Sequence, residues 1–240
     1  MTDATSFGKA ADLYHRGRPE YPPEAVEWLL PPQARLVADV GAGTGKFTAA
    51  LARTGRRVIA VDPDEGMLQA LTEHHGDITA LVGAAENLPL ADQSVDAVTF
   101  AQAWHWVDPE AASREVGRVL RPGGVLGLVW NIRDTNMPWV ARFNAIVQHS
   151  AAERMIDADD VRISAPLTEV DQHTIAWTYR LDPDTLVDLA ASRSAVIALA
   201  DAQRAEVLDE VRALAQEEAD DDGVVHLPYR THLYRAVLGE

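Results

Sequence analysis

From Arg35 to about Asn131, short apolar runs alternate with amphipathic stretches. Five runs have strand length: Leu36-Val-Ala-Asp-Val, Val58-Ile-Ala-Val, Ile78-Thr-Ala-Leu-Val, Val95-Asp-Ala-Val-Thr-Phe and Val125-Leu-Gly-Leu-Val-Trp. Near-continuous apolar strands separated by helical stretches predict a parallel sheet covered on both faces. Helical periods fill the gaps, with Phe47, Leu51 and Ala52 on one buried face and Val116, Val119 and Leu120 on another. The second of these helices is predicted to stop at Arg121-Pro-Gly-Gly, a tight turn ahead of the next strand. Five βα units in about a hundred residues predict a doubly wound sheet with right-handed crossovers.

The flanks read more coarsely. A short helix is expected before Arg18-Pro-Glu-Tyr-Pro-Pro, and a second from Glu24 to Leu30, closed by Pro31 and Pro32. Another helix follows Pro138, His173 to Arg180 alternates as a strand, and Asp182 to Ala191 is helical. Val207, Leu208, Val211, Leu214 and Ala215 mark a further amphipathic helix, and Thr231 to Leu238 forms the last strand. The organisation expected is a helical segment over 1–34, an α/β core over 35–137, and a stretch over 138–240 that completes the sheet and carries a helical insertion, all in one domain. The acidic clusters Asp157 to Asp160 and Glu217 to Asp222 read as solvated loops.

Composition removes function classes. The chain has 240 residues, 47% hydrophobic and 24% charged, an ordinary globular balance that excludes disorder for most of its length. Its 37 acidic against 21 basic residues give a net charge of −16, which repels phosphate backbones and anionic lipid, so neither nucleic acid nor a membrane is the expected partner. There is no cysteine, which excludes disulfides, thiolate metal sites and a cysteine nucleophile. The N-terminal residues show neither an export signal nor a membrane span, so a cytoplasmic location is expected. No metal site is expected either, since His74-His75 and the acidic clusters lack ligand spacing.

Chemistry concentrates after the first strand. Gly41-Ala42-Gly43-Thr44-Gly45 opens directly into a helix, an arrangement that lets backbone approach a ligand closely and presents helix N-terminal amides to negative charge. A phosphate-binding Walker loop fails at both ends, because Val40 stands where its first glycine belongs and Phe47 follows Lys46. A dinucleotide fingerprint is weakened, because its last small residue falls on Lys46. The second strand ends in Asp62, placed to accept both hydroxyls of a ribose, so a nucleoside-containing ligand is indicated. The competing reading of Asp62 is a helix N-cap ahead of Pro63.

These segments resemble a class I S-adenosylmethionine-dependent methyltransferase of the small-molecule type. The likeness rests on the loop and Asp62, Gly83-Ala-Ala-Glu86-Asn-Leu-Pro89-Leu, Ser94-Val-Asp96-Ala-Val, and Leu120-Arg-Pro-Gly-Gly124, in that order. Phe7-x-x-Ala-Ala-x-x-Tyr14-x-x-x-Arg18-Pro and Gln102-Ala-Trp-His-Trp-Val-Asp are similar to a branch that includes trans-aconitate methyltransferase-like proteins. The resemblance implies a Rossmann-like, mostly parallel seven-stranded sheet with an antiparallel last strand and a helical cap. It implies S-adenosylmethionine as cofactor, leaving as S-adenosylhomocysteine, with Gly41, Ala42, Gly43, Thr44 and Gly45 at its methionine part and Asp62 on the ribose. Pro63 and Met67 would pack the adenine, with Ala85 and Glu86 on its other edge and Gln102 nearby. Many relatives carry an aspartate where Ala84 stands, so a backbone carbonyl or Glu86 must substitute. Tyr14 and Arg18 resemble lid residues, with Arg18 able to pair with the cofactor carboxylate.

Methyl transfer from a sulfonium is an in-line displacement that requires alignment, and a general base helps only a protonated nucleophile. His105, just past strand four at the carboxyl edge of the sheet, is the candidate base. Trp104, Trp106, Trp130 and Asn131 are expected to line the acceptor pocket, and Arg133 and Arg193 to clamp an acidic acceptor. The acceptor is expected to be a small molecule presenting oxygen, nitrogen or carbon, and the protein to be a monomer or homodimer. Two rivals stand: an NAD(P)-dependent oxidoreductase, and a non-catalytic member that binds cofactor or a partner.

Overall fold

The structure, a computed structural model, describes residues 17–239. Tyr14 and the expected first helix lie outside the described residues. The elements run α1 (Pro23–Leu29), β1 (Leu36–Val40), α2 (Lys46–Arg53), β2 (Arg57–Asp62), α3 (Glu65–His74), β3 (Thr79–Val82) and β4 (Val95–Ala101). A 3₁₀ turn (Trp104–Trp106) precedes α4 (Pro109–Val119) and β5 (Leu120–Arg133). Then come α5 (Pro138–Val147), α6 (Ala151–Asp157), β6 (Leu167–Leu181), α7 (Pro183–Ala191), α8 (Ser194–Ile197), α9 (Asp201–Glu218) and β7 (Val225–Leu238).

The seven strands form one sheet in the order β3-β2-β1-β4-β5-β7-β6. The pairs β3-β2, β2-β1, β1-β4 and β4-β5 are parallel, and the last strands run antiparallel. Its parallel part is the doubly wound sheet that the alternation of apolar runs predicts, and the seven-stranded Rossmann-like whole with its antiparallel end is what the family resemblance implies. Strand order reverses between β1 and β4, the switch point at which open α/β sheets leave a crevice beyond their carboxyl ends. The loops that leave β1 and β4 are the glycine loop and Gln102–Trp106.

The chain divides into two compact units. The sheet unit comprises Glu20–Asn131, Met155–Ile175 and 231–239, and the helical unit 17–19, Ile132–Arg154 and Ala176–Arg230. In the sheet unit, Ala25, Val26 and Leu29 of α1 and Phe47 and Leu51 of α2 bury against Val37, Ala97, Val125 and Val129 of the strands. In the helical unit, Phe143 and Val147 of α5, Leu186 and Leu189 of α7, and Val211 and Leu214 of α9 share one core.

Two details differ from the sequence pattern. No helix joins β3 to β4: residues 83–94 contain Gly83, Pro89 and an isolated bridge between Ala84 and Asn87. Arg118 of α4 fixes this segment by donating to the carbonyls of Leu88 at 3.0 Å and Leu90 at 2.9 Å, and Glu115 accepts from the Leu88 amide at 2.9 Å. Its polar backbone is thus satisfied without a helix. The Arg121-Pro-Gly-Gly turn lies inside β5 instead of ahead of it, because Leu120 already pairs with Val95 and the register shifts before Ala97. Gly123, at φ +73°, takes up the irregularity.

Packing on α4 generates a test of sign. A Cβ at Gly117 would stand 2.3 Å from Cγ of Pro166, whose ring cannot swing aside. Replacing a helical glycine by alanine ordinarily stabilises by about 1 kcal/mol, whereas overpacking costs about 1–3 kcal/mol. Gly117→Ala is therefore expected to lower the unfolding midpoint, measured by thermal denaturation; a rise would show that Pro166 yields freely.

Candidate functional site

Three glycines in the loop after β1 have positive φ, at +68° for Gly41, +54° for Gly43 and +88° for Gly45, a region that side chains rarely adopt. A Cβ at Gly41 would collide with Cβ of Ala103 at 2.5 Å, so the loop passes directly against the chain leaving β4. Over Gly43 a Cβ would meet nothing within 4 Å, so that face of the loop is open. Gly41 and Ala42 donate to the Val61 carbonyl at 2.8 and 3.2 Å, tying the loop to the end of β2.

Asp62 completes that attachment. Its Oδ2 accepts from the Gly43 amide at 2.9 Å and its Oδ1 from the Asp64 amide at 2.9 Å. The side chain is 8% exposed, and burial raises its pKa, opposed by those two amides. The N-cap reading of Asp62 is overturned: Asp64 caps α3, its Oδ1 accepting from Gly66 at 2.8 Å and Met67 at 3.1 Å. Each Asp62 oxygen accepts one amide and retains a lone pair for a ligand hydroxyl. Within the loop, the hydroxyl of Thr44 is buried without a hydrogen-bond partner.

Sequence reasoning missed Asp39. This carboxylate is buried inside β1, where the register sets it beside Thr99 of β4. Thr48 donates to it at 2.6 Å and Thr99 at 2.9 Å. Burial pushes its pKa up to about 6, against the lowering effect of the two hydroxyls, and the nearby Asp62 adds to the rise. A signal does exist in the sequence, since an aspartate interrupts an otherwise apolar run next to the glycine loop.

At the exit of β4, Gln102 adopts φ +57°, and its side-chain amide donates to the Asn131 carbonyl at 3.0 Å, linking the ends of β4 and β5. His105 follows, half-buried, and the indole N–H of Trp130 donates to its Nδ1 at 3.3 Å. An indole only donates, so Nδ1 is the unprotonated nitrogen and the proton sits on Nε2. Burial lowers the His105 pKa to about 4, which keeps this neutral tautomer at ordinary pH. In this tautomer Nε2 carries the proton.

The expected aromatic wall is corrected in part. Trp130 is fully buried, edge-on to Tyr234, and Trp104 is buried edge-on to Phe100, donating to the Arg162 carbonyl at 2.8 Å. Only Trp106 presents its ring to solvent, 71% exposed and 4.7 Å from His105 between ring centroids. The Asn131 amide is committed within the sheet unit, accepting from Thr231 at 2.7 Å and donating to the Glu20 carbonyl at 3.2 Å. Glu86 is exposed and accepts from the Asp108 amide at 2.9 Å, Ala85 is buried, Pro63 is exposed, and Met67 lies in the first turn of α3. The Ala84 carbonyl accepts from Asn87.

The remaining candidates belong to the helical unit. Arg18 donates from Nε to the Ser192 hydroxyl at 3.2 Å. Arg133 and Arg193 do come together, but the carboxylate between them is the chain's own Glu153. Among the described residues, no group of three or more His, Asp or Glu side chains is placed to hold a metal. No helix among them is long and apolar enough to cross a membrane.

Comparison with known proteins gives a consistent result. A family profile described as a methyltransferase domain matches residues 38–128, from β1 into β5. An uncharacterised methyltransferase of Mycobacterium tuberculosis is 49% identical over 240 residues, covering 97% of this chain and 96% of its own length. A provisionally assigned type II methyltransferase from Anaeromyxobacter dehalogenans superposes with a TM-score of 0.65 at 25% identity, covering 93% of this chain and 97% of the other. Phosphoethanolamine N-methyltransferase 2 of Haemonchus contortus, solved with S-adenosyl-L-methionine, shares the fold at a TM-score of 0.55 and 14% identity, over 99% of this chain and 58% of that one.

The Asp39 carboxyl supplies a pH test. Its folded pKa lies above its unfolded value of 3.8, so the stability that its protonation contributes is full below about pH 4 and lost as pH rises through about 6. Asp39→Asn, which cannot ionise, should lose less stability than the natural protein between pH 4 and 7. The difference is at most about 3 kcal/mol, since each tenfold change in proton affinity is worth roughly 1.4 kcal/mol. Urea unfolding across that range checks it, and parallel curves would refute the assignment.

Proposed function

The chain belongs to the methyltransferase family, and we propose that it transfers a methyl group from S-adenosylmethionine to an oxygen, nitrogen or carbon nucleophile of a small-molecule acceptor. The observation that carries this reading is the glycine loop bound through Gly43 to Asp62 at the switch point of the sheet. The residues fit the cofactor: open space over Gly43, an unpaired buried hydroxyl on Thr44, and free lone pairs on Asp62. Gly41 to Gly45 would hold its methionine part and Asp62 its ribose hydroxyls. Pro63 and Met67 would bound the adenine on one side, and Ala85 and Glu86 on the other. When bound, the cofactor supplies a methyl group activated as a sulfonium. The oxidoreductase alternative loses its footing, since Lys46 occupies the last fingerprint position and the relatives are methyltransferases.

The chain's own contribution is to hold and orient. Alignment of nucleophile and methyl supplies on the order of 7–11 kcal/mol, so a rigid site matters more than a base. His105, fixed by Trp130, donates from Nε2 to an oxygen of the acceptor, while the exposed ring of Trp106 offers an apolar face to its body. This donor role favours acceptors that bring an oxygen anion or a carbonyl. The protein is proposed to act in the cytoplasm, in keeping with its acidic, cysteine-free composition.

Two measurements test these roles. Asp62→Ala should weaken S-adenosylhomocysteine binding more than tenfold by calorimetry, since the lost charge-assisted hydrogen bonds are worth more than about 1.4 kcal/mol; unchanged affinity would reject the ribose assignment. With an acceptor in hand, His105→Ala should lower kcat/KM and His105→Gln, whose amide still donates, should retain more of it. Equal loss in both would mean that donation from Nε2 is not what the residue supplies.

A further inference from the structure

The amino ends of β1 and β2, opposite the strand ends that carry the glycine loop, gather cations that form no ion pair. Arg35 precedes β1, and Arg56 and Arg57 lead into β2. The Arg57 amide donates to the Arg35 carbonyl at 2.9 Å, and the parallel register sets Leu36 beside Arg57, so one step earlier Arg35 stands beside Arg56. All three belong to the sheet unit. Among the described residues none of them meets a carboxylate, whereas the neighbouring cations do: Arg53 pairs with Glu20 at 2.8 Å and Arg121 with Asp96 at 2.5 Å. Asp96 is further engaged by the amides of Arg35 and Leu36, at 2.8 and 2.9 Å.

Arg56 is the fixed member of the group. Its Nη1 donates to the Thr54 hydroxyl at 2.7 Å, which itself donates to the Leu51 carbonyl of α2 at 2.6 Å. Its Nη2 reaches the Pro31 carbonyl at 3.4 Å, and its Nε is buried without a partner. One hydrogen on each Nη is left for a ligand. Burial, and after it the charge of Arg35, lower the Arg56 pKa, and no carboxylate opposes them. Two guanidinium groups held side by side repel, and an anion between them turns that repulsion into attraction. Arg35 and Arg57 are exposed, and a Cβ at Gly55 would meet nothing within 4 Å, so the turn that delivers Arg56 is open to solvent.

We propose that this edge of the sheet binds a phosphate group, as the free ion or on a small molecule, held between Arg35 and Arg56 with Arg57 beside it. A tetrahedral dianion matches two adjacent guanidinium groups in charge and in its forked acceptors, where a monocarboxylate would neutralise only one. A nucleic-acid chain would have to lie along the rest of a surface whose net charge is −16, whereas a small ion feels chiefly the cations within a Debye length of about 8–10 Å. β1 is five residues long, so the site stands about 16 Å from the glycine loop and is separate from it. It does not depend on the methyltransferase reading.

The experiment uses the full chain at about pH 8, where phosphate groups are dianionic. Inorganic phosphate, glycerol 3-phosphate and polyuridylate are titrated against sodium chloride and sodium acetate at matched ionic strength. At about ten times the dissociation constant, the two small phosphates should raise the unfolding midpoint by about 3–6 °C, and chloride and acetate should not. Arg35→Gln should weaken phosphate binding by about tenfold or more, as loss of a charge-assisted hydrogen bond does. Arg114→Gln removes the same charge from an exposed position on α4 and should change binding less than about twofold. Arg56→Lys should weaken binding as well; if it does not fold, Arg35→Gln decides. Tighter binding of glycerol 3-phosphate identifies an organic phosphate as the ligand, and equal or weaker binding identifies the free ion. No response beyond that of chloride, an equal loss in Arg114→Gln, or tighter binding of polyuridylate than of either small phosphate overturns the proposal.

Discussion

The hydrogen bond from the Gly43 amide to Asp62 is the constraint on which the site depends. A loop with three left-handed glycines has few side chains to hold it and loses more conformational freedom on ordering than one built of other residues. Here it is fixed from outside, by Asp62 on one flank, by the Val61 carbonyl beneath, and by the close approach of Ala103 from β4. In the proposed function the same carboxylate would also hold the ribose hydroxyls through its remaining lone pairs. On that proposal, loop order and recognition share one residue.

Burial of charge is the second theme, and the two units handle it differently. In the sheet unit Asp39 sits between two threonine hydroxyls, and the low-dielectric surroundings shift its titration up to about 6. In the helical unit Glu153 lies between two guanidinium groups, and its titration moves the opposite way, to about 2. The same physics, desolvation against local partners, thus yields an acid easily protonated in one place and a permanent anion in the other. His105 adds a third case, where burial and the Trp130 indole hold an imidazole neutral and choose which nitrogen keeps the proton.

Much of the fold is legible because strands buried on both faces must be apolar end to end, which makes β1 to β5 readable as runs. β6 and β7 extend well beyond the strands expected from their alternation; Thr168 to His173 of β6 are exposed, and exposed residues leave no hydrophobic trace. The link from β3 to β4 escapes a local reading because the side chains that hold it, Glu115 and Arg118, come from a helix later in the chain. At the site, the glycines and Asp62 are legible from spacing. The burial of Trp104 and Trp130 is not, because composition says nothing of which way an aromatic ring turns. Arg133 and Arg193 do associate with a carboxylate, but Glu153 lies twenty positions from Arg133 on another element and only the fold brings it there.

Isothermal titration of the purified, folded protein with S-adenosylhomocysteine tests the central claim most directly. The account predicts one site per chain with micromolar or tighter affinity, because the loop and Asp62 are already ordered before the ligand arrives. A protein shown to be folded that binds no S-adenosylhomocysteine would contradict it.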